Sequence, residues 1–351
     1  MKKSGANNSQ KLNNVLFFLA GVLAVVVVGL IAFGVVNKVQ SAQKQEYVRP
    51  DNTDTWEQET QTVEKWQEGE ITYRGKEYKY NTNIRTFLLM GIDSDEPVTA
   101  AVDGISGGQS DAMFLLVVDD KEETLSIISI NRNTMTRIEV YDANGGSLGT
   151  MTAQICTQHG FGDGRRLSCS RTVDAVSYLF YNIPIAGYIS INMGAIPMLN
   201  DAIGGVEVEV LDTLNYPEQG VSLQEGENVC LNGQEAYCYL RGRDLNDFNS
   251  ATDRLRRGEQ YLVNYFNKLK EETNGSVSQV IDIYNQVSEY VVSSVSMTSL
   301  IGQLMDYEFS EDMVYTVPGE TRMGEEYEEF YVNDDEFYDL IIRTFYEEVP
   351  Q

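Results

Sequence analysis

Apolar residues fall in three rhythms along this chain, and each rhythm marks a different kind of segment. The first is unbroken: Val15 to Val36 is a run of 22 uncharged, mostly apolar residues, VLFFLAGVLAVVVVGLIAFGVV. At about 1.5 Å of rise per helical residue it is long enough to cross a hydrocarbon core of about 30 Å. It predicts an uncleaved transmembrane helix, since a signal peptide would carry a shorter apolar stretch and a clear small-residue cleavage site, and Ser41-Ala42 is a weak one. Residues 37–83 are polar and short of aliphatic side chains, which predicts a stalk with a helical stretch near Thr55 to Trp66. Within it, Ile71 to Tyr80 alternates aromatic and charged residues about Arg74-Gly75, as a short hairpin capping a domain would.

From Ile84 onward the pattern changes to apolar runs of strand length: Phe87 to Ile92, Met113 to Val118, Leu125 to Ile130, Tyr188 to Met193 and Val206 to Val210. Helical spacing appears at Ser170 to Tyr181, Gly194 to Ile203, Asp253 to Lys270, Val277 to Ser294, Met297 to Met305 and Asp334 to Glu347. Strands interleaved with helices predict an α/β domain over residues 84–351, a mixed central sheet with helices on both faces. Ligands in such folds collect beyond strand ends, so the loops Asp93 to Ser110 and Asn131 to Thr136 are candidate site walls.

Charge narrows the partners. The balance of 53 acidic against 26 basic residues, a formal net charge of −27, argues against a general nucleic-acid binder, because a duplex demands an extended positive face. Lys2, Lys3 and Lys11 precede the apolar run with no acidic residue, which predicts a cytoplasmic tail over residues 1–14, a span over 15–36 and everything beyond outside a cell membrane. That compartment permits oxidation of Cys156, Cys169, Cys230 and Cys238, and closeness in sequence favours the pairs Cys156–Cys169 and Cys230–Cys238.

Chemistry is restricted by what is scarce. His159 is the one histidine, which leaves little room for a histidine-based hydrolase and reads better as a loop or core residue. Gly104-Ile-Ser-Gly-Gly108 matches no nucleotide-binding loop. What remains are carboxylates at strand ends and arginines against the global field. Asp93 and Asp111 flank the first two strands, where two hard oxygen ligands could share a magnesium ion. Arg241, Arg243, Arg254, Arg256 and Arg257 form two tight groups, and guanidinium forks fit phosphate oxygens two at a time, so pyrophosphate is the expected anion.

These elements together resemble the LytR-CpsA-Psr family from about Ile84 to Leu269. Phe87-Leu-Leu-Met-Gly-Ile-Asp93 is similar to the family's first strand and metal aspartate, and Gln109-Ser-Asp111-Ala-Met to its Arg-Ser-Asp-Thr-Met element. Leu125-Ser-Ile-Ile-Ser-Ile-Asn-Arg132-Asn-Thr is similar to the strand ending in Ser-Ile-Pro-Arg-Asp-Thr, and Leu199-Asn-Asp-Ala-Ile-Gly-Gly-Val206 to a matching later stretch. Leu231-Asn-Gly-Gln-Glu-Ala-Tyr-Cys-Tyr-Leu-Arg241-Gly-Arg243, followed by Arg254-Leu-Arg-Arg257, is similar to the run that supplies the remaining pyrophosphate arginines.

The resemblance implies a membrane-anchored, extracytoplasmic phosphotransferase of a Gram-positive type envelope. It would move a glycopolymer, such as wall teichoic acid or capsule, from a polyprenyl-pyrophosphate carrier to peptidoglycan. It also implies substrate contacts from Arg132, Arg241, Arg243, Arg254, Arg257 and Gln109, with Mg2+ on Asp93 and Asp111. Departures are Gln109, Asn133, Gly258 and Asp95, which stand where the family has arginine, aspartate, glutamine and arginine. The gap between Arg243 and Arg254 is one residue longer than usual, so the family's acidic residue there falls near Ser250 or Ala251, and Asp247 or Asp253 must replace it as base. A non-catalytic glycan-lipid binding or envelope-regulatory protein and a polyprenyl-pyrophosphate hydrolase are the competing readings. The predicted Asp253 to Lys270 helix, with Leu255, Leu262, Phe266 and Leu269 as its buried stripe, places Arg254 and Arg257 on one face and Arg256 in solvent.

Overall fold

The computed structural model describes residues 70–243, 248–325 and 327–350. Six strands form the central sheet: β1 (Ile84–Ile92), β2 (Ser110–Asp119), β3 (Thr124–Ile130), β4 (Gly187–Asn192), β5 (Val291–Ser293) and β6 (Val314–Thr316). Their order is β5-β4-β1-β2-β3-β6, with β4 parallel to β1, β6 parallel to β3 and the other neighbours antiparallel. The sheet is mixed, as the apolar runs predict.

These strands read as continuous apolar runs because both faces are covered. On one face Phe87, Phe114, Leu116, Leu125 and Ile127 share a core with Leu255, Val263, Leu300 and Leu304. The last four belong to α4 (Ser250–Glu272) and α6 (Met297–Leu304). The alternate residues Leu88, Met90, Met113, Leu115, Ile128 and Ile130 point the other way and are equally buried. Elsewhere α1 (Arg166–Leu179) and α7 (Asp334–Phe345) meet through an edge-to-face pair of Phe180 and Phe337, with ring centroids 4.9 Å apart.

A separate core gathers α2 (Ile196–Ala202), α3 (Gly233–Arg241), the inner side of α4 and α5 (Val277–Val287) around an antiparallel ribbon of Val206–Glu209 with Asn228–Leu231. α4 therefore faces two cores: Leu255 and Val263 reach the sheet, Tyr261 and Leu269 the ribbon. The predicted single stripe is accordingly corrected, with Leu262 and Phe266 only partly buried.

The hairpin Glu70–Tyr73 with Lys76–Tyr80 turns at Arg74-Gly75, both at positive φ, and adds a third strand, Tyr346–Glu348, from the far end of the chain. Three expected elements change. The helix begun at Val277 ends at Val287, and Val291–Ser293 becomes the edge strand β5, since its β-branched residues pair with β4. The helix begun at Asp334 ends at Phe345. Val206 to Val210 belongs to the ribbon and not to the central sheet. No helix among the described residues is long and apolar enough to cross a membrane, and Val15 to Val36 lies outside them.

Candidate active site

β1, β2 and β3 end or begin at the same edge of the sheet and deliver Asp93, Asp111 and Arg132 there. A register shift between Gly91 and Ile92 re-aims the chain just before Asp93, whose amide donates to the Gln109 carbonyl at 3.2 Å. Asp93 and Gln109 are thereby tied across the mouth of the loop they bracket.

Asp111 is the centre of the cluster. Its Oδ2 accepts from Arg254 Nη1 at 3.0 Å and from Arg132 Nη1 at 3.4 Å, and Arg254 Nη2 also donates to the Asp111 backbone carbonyl at 3.0 Å. Arg132 Nη2 bonds to Gln109 Oε1 and lies 3.2 Å from Cys156 Sγ. Side-chain exposures of 9%, 9% and 14% for Asp111, Arg254 and Arg132 put this group almost out of solvent. Among the described residues, two of its polar atoms have no hydrogen-bond partner, Asp111 Oδ1 and Arg132 Nε. Arg132 Nη2 is 3.2 Å from that oxygen but not aligned to donate to it. A buried acceptor and a buried donor left open side by side favour a ligand, because unmet polar groups are costly.

The field in the cluster is mutual. Burial lowers the pKa of Arg254, Asp111 opposes that, and the nearby charges of Arg132 and Arg243 reinforce it. Burial pushes the Cys156 thiol up, with Arg132 pulling the other way, so sulfur here is a neutral packing partner of the guanidinium.

Two further arginines ring the group. Arg241, at the end of α3, donates to Asp93 Oδ1 from Nε at 3.2 Å and Nη2 at 2.9 Å, and to the Tyr237 hydroxyl at 2.5 Å. Tyr237 in turn donates to Asp95 Oδ1 at 2.6 Å. Partial burial and then that carboxylate push the Tyr237 hydroxyl up to about 12. Arg243 donates to Ser250 Oγ at 2.9 Å and to Glu328 Oε2 at 3.1 Å.

Arg257 goes elsewhere. Its side chain is 3% exposed and donates to the carbonyls of Tyr239 and Gly242 and to Asp212 Oδ2. The fork is spent on the backbone around Arg241-Gly-Arg243, so this arginine holds that loop's shape and does not share Arg254's partner. Arg256 is 53% exposed and pairs with Asp253 at 3.4 Å, as expected of a surface charge. Asp247 lies outside the described residues. Ser250, where the family's acidic residue falls, is a hydroxyl acceptor for Arg243.

All four cysteines are free, which corrects both predicted disulfides. Each thiol has a different neighbour: Cys156 meets Arg132, Cys169 meets His159 Nε2 at 3.7 Å, Cys230 meets the Gly204 carbonyl at 3.6 Å and Cys238 meets Gln234 at 3.6 Å. Sequence proximity does not bring sulfurs together when they are held on separate elements. His159 is fully buried with Nδ1 3.2 Å from the Gly108 carbonyl, a core residue bracing the loop that carries Gln109.

Among the described residues no group of three or more His, Cys, Asp or Glu side chains is placed to hold a metal ion. Two carboxylates with one open buried oxygen, Asp111 Oδ1, still fit a hard cation that keeps water or takes phosphate oxygens as its other ligands. Sequence reasoning missed Tyr237, Cys156 and Glu328. Tyr237 stands four residues before Arg241 on one helix, a spacing that could have found it.

Solved structures share this architecture: a Streptococcus agalactiae protein at TM-score 0.59 and 22% identity, over 75% of this chain and 87% of that one. Bacillus subtilis TagV aligns at TM-score 0.56 and 20% identity, over 75% and 96%. In sequence, the chain is 27% identical over 242 residues to an Enterococcus faecalis TagU, described as a polyisoprenyl-teichoic acid–peptidoglycan teichoic acid transferase, covering 68% of this chain and 71% of that protein. It is 35% identical over 158 residues to TagU of Halalkalibacterium halodurans, covering 45% of this chain and 44% of that protein. The family model described as the LytR_cpsA_psr family matches residues 38–340, most of the chain and all of the cluster just described, and the chain belongs to that family.

Proposed function

We propose that this protein transfers a glycopolymer phosphate from a polyprenyl-pyrophosphate carrier to a hydroxyl of peptidoglycan. The observation that carries the reading is the convergence of Arg132, Arg241, Arg243 and Arg254 at the sheet edge, with Arg132 Nε and Asp111 Oδ1 buried and unmet. The printed names of the curated relatives, teichoic acid transferases acting on peptidoglycan, support the same class of donor and acceptor.

Four arginines face Asp93, Asp95, Asp111 and Glu328, so the group carries no net charge before substrate arrives. A pyrophosphate diester adds negative charge and competes with Asp93, Asp95 and Asp111 for the donors of Arg132, Arg241 and Arg254. Asp93 and Asp111 would then hold a magnesium ion, which when bound offsets that charge as a Lewis acid. Arg132 and Arg254 are placed to orient the phosphates and to stabilise charge as the bond to the lipid phosphate breaks. The acceptor hydroxyl forms the new P–O bond, its proton passes to a carboxylate base, and the lipid monophosphate leaves. Asp247 is the sequence candidate for that base. The apolar span Val15 to Val36 would tether the domain outside the membrane beside its lipid substrate.

The test is a reaction of the full-length chain with a labelled lipid-linked polymer and peptidoglycan sacculi, with the products separated. Label recovered on peptidoglycan supports transfer. Label released into water identifies a hydrolase, and bound lipid without product identifies a carrier or regulator. Protease added to spheroplasts tests the tethering, since a domain that stays protected would place it on the other side.

A further inference from the structure

Glu328 lies far from every motif in the sequence, yet its side chain is 10% exposed and sits against the arginine cluster. One oxygen, Oε2, accepts from Arg243 Nη2 at 3.1 Å and from Asn133 Nδ2 at 3.4 Å. Asn133 is itself buried, and its Oδ1 accepts from Gln154 Nε2 at 3.2 Å. Gln154 Nε2 also donates to the Glu328 backbone carbonyl at 2.7 Å. The backbone joins in, with the Phe330 amide donating to the Asn133 carbonyl at 2.9 Å and Thr134 bridging to Phe330 in parallel. The strand Glu328–Val332, one arm of a hairpin with Gly319–Met323, is thus fastened directly to the segment that carries Arg132.

Asn133 is neutral where a carboxylate is expected after Arg132, and Ser250 is neutral on the other side of Arg243. An arginine beside other arginines needs an anion to stay aimed, because like charges turn it toward solvent. The geometry points to Glu328 as the positioning residue that orients Arg243 in the pyrophosphate site, a carboxylate supplied by the C-terminal hairpin in place of the one missing at position 133. This inference rests on the pyrophosphate reading of the cluster.

The test uses the full-length chain and measures binding of farnesyl diphosphate as well as polymer transfer, so that a failed transferase reading and a failed role for Glu328 are told apart. Glu328→Gln keeps the shape and removes the charge, and it is expected to weaken probe binding at least tenfold and to lower kcat/KM similarly. The swap N133D/E328Q returns a carboxylate two hydrogen-bond lengths from Arg243 and leaves a glutamine amide to bond it. Its affinity is expected within about threefold of the parent. In an Arg243→Gln background, Glu328→Gln is expected to add nothing, since the residue acts through Arg243. Parent-like binding by Glu328→Gln overturns the proposal. So does a swap as weak as the single variant, or an undiminished Glu328→Gln effect without Arg243. Glu328→Asp, charged but one methylene shorter, serves if Glu328→Gln fails to fold, and binding intermediate between parent and Arg243→Gln is then the expected result.

Discussion

Arg254 grips Asp111 at two points, its side-chain carboxylate and its backbone carbonyl, each at 3.0 Å. Two donors of one planar fork thus fix the start of β2 to α4, and they do so where both side chains are 9% exposed. A lysine has the charge but a single point of attachment. Arg254→Lys is therefore expected to lose at least tenfold in lipid-pyrophosphate binding, about 1.4 kcal/mol, while Arg256→Lys leaves it unchanged. Titration with a pyrophosphate lipid decides, and equal affinities for the two variants would remove α4 from the site.

Arg257→Lys should behave differently from both. Its three partners are two backbone carbonyls and Asp212, so the loss falls on the fold around Gly242. A lysine leaves buried acceptors unmet, which costs about 2 kcal/mol and lowers the melting temperature by roughly 4–8 °C. Calorimetry of the variant checks this. Weakened substrate binding with an unchanged melting point would return Arg257 to the substrate face.

Cys230 is exposed and the other three thiols are buried. Native protein, never reduced, is expected to take up alkylating reagent at Cys230 alone, and denatured protein at all four positions without added reductant. Peptide mapping by mass spectrometry reads both. A pair that reacts only after reduction would reinstate a disulfide.

The sheet was legible because its strands are covered on both faces and so appear as apolar runs such as Met113 to Val118. Short edge elements were not. Val291–Ser293 continues an apolar pattern from the helix before it, and only its pairing with β4 decides its conformation. Asp93, Asp111, Arg132, Arg241, Arg243 and Arg254 were all visible as charges at strand and helix ends. Arg257 shows the limit, since spacing on a helix fixes a direction but not which of two cores the helix turns toward it. Glu328 was out of reach for a simpler reason. It meets Asn133 across 195 residues, and no local pattern records such a contact.

His159 makes the stability of the site loop depend on pH. Burial is the largest influence on its pKa and lowers it from the ordinary 6.5, so the folded ring is neutral. Burial pushes the Cys169 thiol up to about 12, and that protonated sulfur faces His159 Nε2 while Nδ1 faces the Gly108 carbonyl. A second proton would charge a fully buried ring. Above pH 6.5 the unfolded ring is neutral too, and the full stability is present. Below it the unfolded chain binds a proton that the folded chain refuses, so stability falls with pH until the lowered folded-state pKa is reached. Across that window the slope approaches about 1.4 kcal/mol per pH unit. Urea midpoints at pH 7.5 and 5.5 for the parent and for His159→Asn separate this effect from that of the carboxylates. The parent is expected to lose more on acidification than the variant, and equal losses would show that the ring accepts its proton within the fold.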